Sequence, residues 1–152
     1  MHILNKDIEF LEEQRECSYF ENKISDIRYK YMFSCPSSSY QEMLERGWRR
    51  FGKMHFVPEC KSCTKCVSMR IDVANYKFSK SENRVIRKNR DTKLYIRPPS
   101  LTMEHLELYD KYHEFMNRKK DWPYSPIEAN EYSKSYVEAK EDYAKEFLYM
   151  RD

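Results

Sequence analysis

The chain has 152 residues, with 28 Lys and Arg against 25 Asp and Glu, 40% hydrophobic and 15% aromatic residues. Those amounts suit one ordinary domain or two small ones and exclude a disordered chain. No window of about 20 apolar residues exists, which excludes a transmembrane helix. The first residues, Met1-His2-Ile3-Leu4-Asn5-Lys6-Asp7, lack the basic, apolar and small-residue succession of a secretory signal. The expected place is therefore the cytoplasm, where five cysteines read as thiols or metal ligands rather than disulfides.

Residues 1–16 are acidic and weakly periodic, and predict an arm or a short helix. Residues 25–33 alternate apolar and polar and predict a strand. The turn Cys35-Pro36-Ser37-Ser38-Ser39 offers hydroxyls to cap a helix over 40–46, with Gly47 as its C′ residue. A strand over 48–57, kinked at Gly52 and stopped by Pro58, leads into a cysteine loop at 59–66. Val67, Met69, Ile71 and Val73 then alternate with polar residues, predicting a half-buried strand. Residues 79–89 read as a helix capped by Ser79 or Ser81, anchored inward by Val85 and Ile86. A short strand at 94–97 ends at Pro98-Pro99. Met103, Leu106, Tyr109, Tyr112, Phe115 and Met116 recur at helical spacing and predict a helix over 102–119. Ser125-Pro126-Ile127-Glu128 holds three helix-start signals and predicts a helix from 126 to about 139. Residues 146–150 have strand character, with no partner visible in the sequence around them. The elements give an α+β chain, divided at Pro98-Pro99 into a mixed, basic, Cys-bearing unit (1–97) and a helical one (98–152).

Charge is uneven along this path. Residues 1–45 and 98–152 each carry a net −4, whereas 46–97 carry fifteen basic and four acidic residues, a net +11. A positive centre mixed with aromatic and turn residues points to an anionic partner. With only two glycines in the chain, neither a Walker loop nor a dinucleotide fingerprint is available. Both glycines bracket Gly47-Trp48-Arg49-Arg50-Phe51-Gly52, where arginines can fork onto phosphate and aromatics can stack on bases or fill a core. On the 79–89 helix, Arg84, Arg87 and Lys88 lie three and four residues apart and share a face. Cys60, Cys63 and Cys66 can turn three sulfurs toward one centre, with Cys17, Cys35 or His55 as a fourth ligand for zinc or an iron–sulfur cluster. Reduced cysteines in a tight loop are the plain alternative. His2, His55, His105 and His113 sit in no catalytic pattern; on their helix, His105 and His113 read as surface or capping residues. An enzyme of this composition would take a substrate that arrives activated.

In order, Cys17-Ser18-Tyr19, the 47–52 motif, Pro58-x-Cys60-x-x-Cys63-x-x-Cys66-x-x-x-Arg70-Ile71 and Phe78-x-x-Ser81-x-x-Arg84-Val85-x-x-Lys88-Asn89-x-Asp91 resemble the aminoacyl-tRNA–protein transferases. The likeness is specific over about 15–91 and diffuse through Glu104-His105-x-x-Leu108-Tyr109-x-x-Tyr112. The cysteine spacing looks like the bacterial branch, which implies transfer of Leu from aminoacyl-tRNA to proteins beginning with Asp or Glu, marking them for N-degron-dependent degradation. Arginyl transfer is the close alternative, and a non-catalytic tRNA- or RNA-binding module with a metal-stapled loop is the rival of another class. The resemblance implies that Trp48, Arg49, Arg50, Arg70, Lys80, Arg84, Arg87 and Lys88 hold tRNA, and that Cys17, Cys60, Cys63 and Cys66 are the metal or cluster ligands. It also implies that residues 98–152 resemble the opening helices and first strand of an acetyltransferase-like α/β domain. The chain then reads as the N-terminal part of such an enzyme, with aminoacyl-tRNA and acceptor proteins as partners and no membrane.

Overall fold

Ile27, Tyr29 and Tyr31 alternate with Arg28 and Lys30, and this period of two makes residues 27–31 an inner strand with two unlike faces. The structure, a computed structural model, describes residues 7–12, 14–138 and 143–151. Strands β1 (Ile8–Leu11), β4 (Ile27–Tyr31), β6 (Met54–Pro58) and β5 (Arg49–Phe51) form an antiparallel sheet in the order β1-β4-β6-β5. Short strands β2 (Arg15–Glu16) and β3 (Ile24–Ser25) pair beyond the β1–β4 end. Within the acidic start, Ile8–Leu11 and Arg15–Glu16 are thus strands, where an arm or short helix was expected; residues 1–6 and 13 lie outside the described residues. Ile8 and Phe10 lie opposite Tyr31 and Tyr29, and those cross-strand contacts outweigh weak local propensity.

Helix α1 (Ser37–Glu45) starts three residues earlier than expected, with Pro36 at the cap and no side-chain capping bond, so the serines form its first turn. Its end matches the glycine signal. Gly47 N–H donates to Leu44 O and Trp48 N–H to Met43 O, both at 3.0 Å, with Gly47 at φ +88°. This is the Schellman pattern, in which a left-handed residue closes two orphan carbonyls. Residues 48–57 are a tight hairpin rather than one kinked strand, turning at Gly52-Lys53 between Phe51 and Met54. Gly52 takes φ +53° at the first central position, where such turns demand a residue without Cβ.

Helix α2 (Lys80–Lys88) begins at Ser79, one of its two expected caps, in a full capping box with Glu82. No side chain of α2 is buried; Val85 and Ile86, expected to anchor it inward, are 56% and 49% exposed. The 67–73 strand is also absent. Val67, Met69, Ile71 and Val73 are 68–89% exposed and the segment pairs with no strand among the described residues, so its alternation lacks the neighbour that would make it a sheet.

Strand β7 (Thr92–Arg97) leads to α3 (Met103–Lys120), capped by Thr102 and ending at Asp121, a left-handed residue at φ +56°. The helix expected from Pro126 is shortened. Ile127 N–H donates to Asp110 Oδ1 at 3.1 Å, which holds that stretch outside any helix. Helix α4 (Ala129–Tyr132) follows and runs into a π-helical turn, Ser133–Val137; residue 139, where the expected helix ended, lies outside the described residues. The final strand β8 (Glu146–Arg151) does have a partner: it pairs antiparallel with β7 across six residue pairs, crossing the Pro98-Pro99 position. Sequence distance hid it, since Arg97 and Glu146 are 49 residues apart. The described fold is therefore α+β with small antiparallel sheets. None of its described helices is long and apolar enough to cross a membrane.

The main buried cluster is small: Met32, Cys35 and Met43, with Tyr40 and Trp48 packed against it. It lies against the side of the sheet that carries Arg50 and His55, because Tyr40 of α1 sits edge-on to His55 with ring centroids 6.0 Å apart. The opposite side carries Phe10, Tyr29 and Phe56, in register across β1, β4 and β6, and Phe51, two residues along β5 from Arg49, the partner of Phe56.

Candidate nucleic-acid interface

Strand alternation divides the Arg49-Arg50 doublet. Arg49 lies opposite Phe56 and is exposed; its Nη1 donates to Trp48 O at 2.9 Å. Arg50 lies opposite His55 on the other face, with its guanidinium 5.1 Å from the Tyr40 ring centroid and 5.2 Å from that of Tyr143. Tyr40 and Tyr143 stack on each other at 4.7 Å, and Tyr143 donates to Cys35 O at 2.9 Å. Arg50 thus lies beside the stacked pair, almost equidistant from its two rings, and this cation–π contact joins residue 143 to the sheet. Trp48 is half-buried against the Met43 cluster. Phe51 is 57% exposed on the face of Arg49.

His55 is buried to 1% exposure and borders a cavity of about 30 Å³ together with Arg50, Cys35 and Tyr143. Its Nδ1 faces Lys53 O at 3.2 Å, which fixes the proton on Nδ1 and leaves Nε2 bare and without a partner. Burial, more than any other influence, pushes the imidazole below its ordinary 6.5, and the nearby Arg50 charge adds to this, while the Lys53 carbonyl opposes it. An unfolded chain takes up this proton near pH 6.5 and the native chain resists it. Stability from this site is therefore full above about pH 6.5 and declines as pH falls below it. Urea midpoints measured from about pH 7.5 to about pH 5 are expected to fall, and the fall to be shallower in His55→Leu; equal slopes in both proteins would refute the assignment.

Lys80, Arg84, Arg87 and Lys88 follow one face of α2 at i, i+4, i+7 and i+8, and all are exposed. Arg87 and Lys88 lie in its last turn, where the helix dipole favours cations. Arg70, in the irregular 64–79 segment, borders an open cleft of about 870 Å³ that Arg49 also lines. The structure thus brings Arg49 and Arg70 together, makes a separate stripe of the four α2 cations, and sets Arg50 and Trp48 inside.

The cysteine loop is organised by Asp26, which is 4% exposed. Its carbonyl accepts from Glu59 N–H at 2.8 Å and from Cys60 Sγ at 3.7 Å, and its Oδ2 lies 3.5 Å from Lys61 N. Cys60 and Cys63 are half-buried, as is Cys17 on the β2–β3 hairpin side, whereas Cys66 is exposed and Cys35 lies in the core. Among the described residues no three of His, Cys, Asp or Glu gather into a group able to hold a metal ion. As placed, Cys17, Cys60, Cys63 and Cys66 do not fit a common zinc or cluster centre.

Residues 15–84, which span the hairpin, the cysteine loop and most of α2, match the family model described as "Arginine-tRNA-protein transferase, N terminus". Through this N-terminal region, the chain is similar to the aminoacyl-tRNA–protein transferases. The chain is similar to the aspartate/glutamate leucyltransferase of Helicobacter hepaticus, 39% identical over 145 residues, 95% of this chain and 60% of the relative. It is similar to that of Campylobacter jejuni serotype O:2, 43% identical over 147 residues, 96% of this chain and 62% of the relative. The Saccharophagus degradans leucyltransferase is 30% identical over 141 residues, 92% of this chain and 58% of the relative. The chain thus spans about three fifths of the length of these relatives. No solved structure matches it.

The contact of Arg50 with the stacked Tyr40–Tyr143 pair and the bare Nε2 of His55 were not evident from the sequence. Both depend on pairing β5 with β6 in one register and on bringing residue 143 back to the sheet.

Proposed function

We propose that the chain is the tRNA-engaging part of an aminoacyl-tRNA–protein transferase that moves Leu onto proteins beginning with Asp or Glu. The observation that carries this is its 43% identity over 147 residues with a protein named aspartate/glutamate leucyltransferase. In the proposed reaction the acceptor's α-amino nitrogen, ordinary pKa about 7.7–8.0, attacks the carbonyl carbon of the aminoacyl ester. The new C–N bond forms, the C–O bond to the tRNA ribose breaks, and the amine's proton leaves as the ribose hydroxyl is restored. The ester is already activated, so the protein's task is orientation and stabilisation of the transient oxyanion rather than supply of a nucleophile. The exposed cations of α2 are suited to the phosphate backbone. In this reading residues 98–152 open an acetyltransferase-like unit, and the protein works in the cytoplasm.

Replacing Arg84, Arg87 and Lys88 together by Ala is expected to weaken tRNA binding about tenfold or more near 0.1 M salt. The slope of log K against log salt should become shallower by about 2–3, since each neutralised phosphate contributes roughly 0.7–0.9. Unchanged affinity and slope would remove α2 from the interface. Transfer of labelled Leu from its tRNA to a peptide starting with Asp or Glu, with Arg-tRNA in parallel, tests the reaction itself. RNA binding with no transfer of either amino acid, by this chain or by one of the relatives' full length, would favour the non-catalytic RNA-binding reading.

A further inference from the structure

The two faces of the four-stranded sheet are reversed from the usual order. A one-sided antiparallel sheet ordinarily turns its apolar residues to the core and its polar ones to water. Here the covered side carries Arg50 and His55, and the open side carries an aromatic row. Phe10 of β1 stacks on Tyr29 of β4 at 5.4 Å and 19°. Tyr29 follows to Phe56 of β6 at 6.1 Å, and Phe56 stacks on Phe51 of β5 at 5.8 Å and 14°. The row crosses every strand of the sheet in spatial order. Phe10 and Phe51, its two ends, are 45% and 57% exposed.

Cations join this row where it meets the hairpin. Arg49 lies in register with Phe56 on the same face, and both line a cleft of about 450 Å³ together with Tyr19, Phe20 and Lys65. Tyr19 is 81% exposed and Phe20 47%. Through Arg49 this cleft adjoins the one bordered by Arg70, where Glu45 is the acidic neighbour.

We infer that the open face of the sheet is a stacking platform for single-stranded nucleic acid. Bases lie on the Phe10–Tyr29–Phe56–Phe51 row and in the adjoining cleft, and Arg49 and Lys65 meet the phosphates. Charge selects this occupant over an apolar polypeptide: the charged residues that line the cleft, Arg49 and Lys65, are both basic and lie in the segment of net +11. Aromatic rows on an open sheet suit unpaired bases because every base has a π-face, and unpaired bases are what side chains can reach in RNA. The identity of the nucleic acid as the unpaired 3′ end of a tRNA rests on the proposed function. The platform itself rests on geometry.

The test uses the whole chain and a fluorescein-labelled single-stranded RNA ending in CCA, with a fully paired RNA of matched length as comparison. Phe10→Ala with Phe51→Ala is expected to weaken single-strand binding by about tenfold or more per ring, while leaving the salt slope and the paired-RNA affinity unchanged. Phe10→Tyr with Phe51→Tyr is expected to restore binding. Arg49→Gln with Lys65→Gln is expected to make the salt slope shallower. Single-strand affinity unchanged in the Ala pair, or rings buried in a dimer of the chain that single-stranded RNA does not dissolve, would overturn the platform. Intact tRNA binding through α2 without single-strand binding would overturn the platform and leave the tRNA reading standing. Ring-dependent single-strand binding without aminoacyl transfer would uphold the platform and count against the enzyme.

Discussion

Gly52→Ala is expected to destabilise the chain by about 2–4 kcal/mol, read as a lower urea midpoint, and to separate the β5–β6 hairpin from the π-helical turn. Two causes act on one atom. Gly52 holds φ +53°, which an L side chain tolerates poorly, and a Cβ there would stand 1.9 Å from Lys134 O and 3.1 Å from Lys134 C. Both neighbours are backbone, so relief requires moving the turn that also brings Tyr136 edge-on to Phe51, with ring centroids 6.4 Å apart. Gly47→Ala is the internal control. It too has positive φ, +88°, but its Cβ would meet the Ser68 hydroxyl at 3.2 Å, a group that can rotate away. Its expected cost is about 1 kcal/mol. Equal losses at the two sites would show that backbone conformation alone matters and that Gly52 is not a docking point.

The chain's two glycines show how far a sequence can be read. Each marks a backbone requirement, and Gly47 as a helix terminator follows from its neighbours alone, as does Ser79 as one of two candidate caps of α2. The role of Gly52 against Lys134 does not, because the residues that meet there are 82 apart in sequence. The same limit explains β8, whose partner β7 lies across a helical excursion, and the aromatic row, whose members Phe10, Tyr29, Phe56 and Phe51 become neighbours only once four strands take one register. Local alternation misled in the other direction at 67–73, where a perfect period of two has no paired neighbour. The Ser125-Pro126 signal lost to a tertiary bond from Ile127 N–H to Asp110. For the site, the cationic face of α2 was legible because helical spacing is local. The separation of Arg49 from Arg50 follows from strand period once residues 49–51 are recognised as a strand, although the doublet by itself suggests a joint fork.

The second large effect is expected at Glu146, where β8 meets the start of α3. His105 is the third residue of α3, and its Nδ1 accepts from Thr102 N–H at 3.2 Å within the capping box. That leaves Nε2 to carry the proton toward Glu146 Oε1 at 2.6 Å, with both side chains largely buried at 9% and 14% exposure. The other carboxylate oxygen accepts from Arg97 Nε at 2.8 Å and from Ser100 at 3.2 Å. One carboxylate therefore joins the end of β7, the Pro98-Pro99 turn, the cap of α3 and the first residue of β8. A two-stranded ribbon is marginal by itself, and most of the apolar residues of this one are exposed, Leu94, Ile96, Phe147 and Tyr149 among them. Its attachment must come from polar bonds of this kind. Glu146→Ala removes every acceptor at once and leaves the buried His105 N–H without a partner, a loss expected to cost about 2–4 kcal/mol. Glu146→Gln keeps the shape and can still accept from one side, so roughly half of that loss is expected. Arg97→Ala, at a side chain 44% exposed, should cost under about 1 kcal/mol. Amide exchange resolves where the loss falls: in Glu146→Ala the amides of β7 and β8 should lose protection before those of the four-stranded sheet. Simultaneous loss in both sheets would mean that the ribbon and the sheet unfold as one unit, and the ordering Ala, Gln, Arg97 would then report global stability instead of attachment.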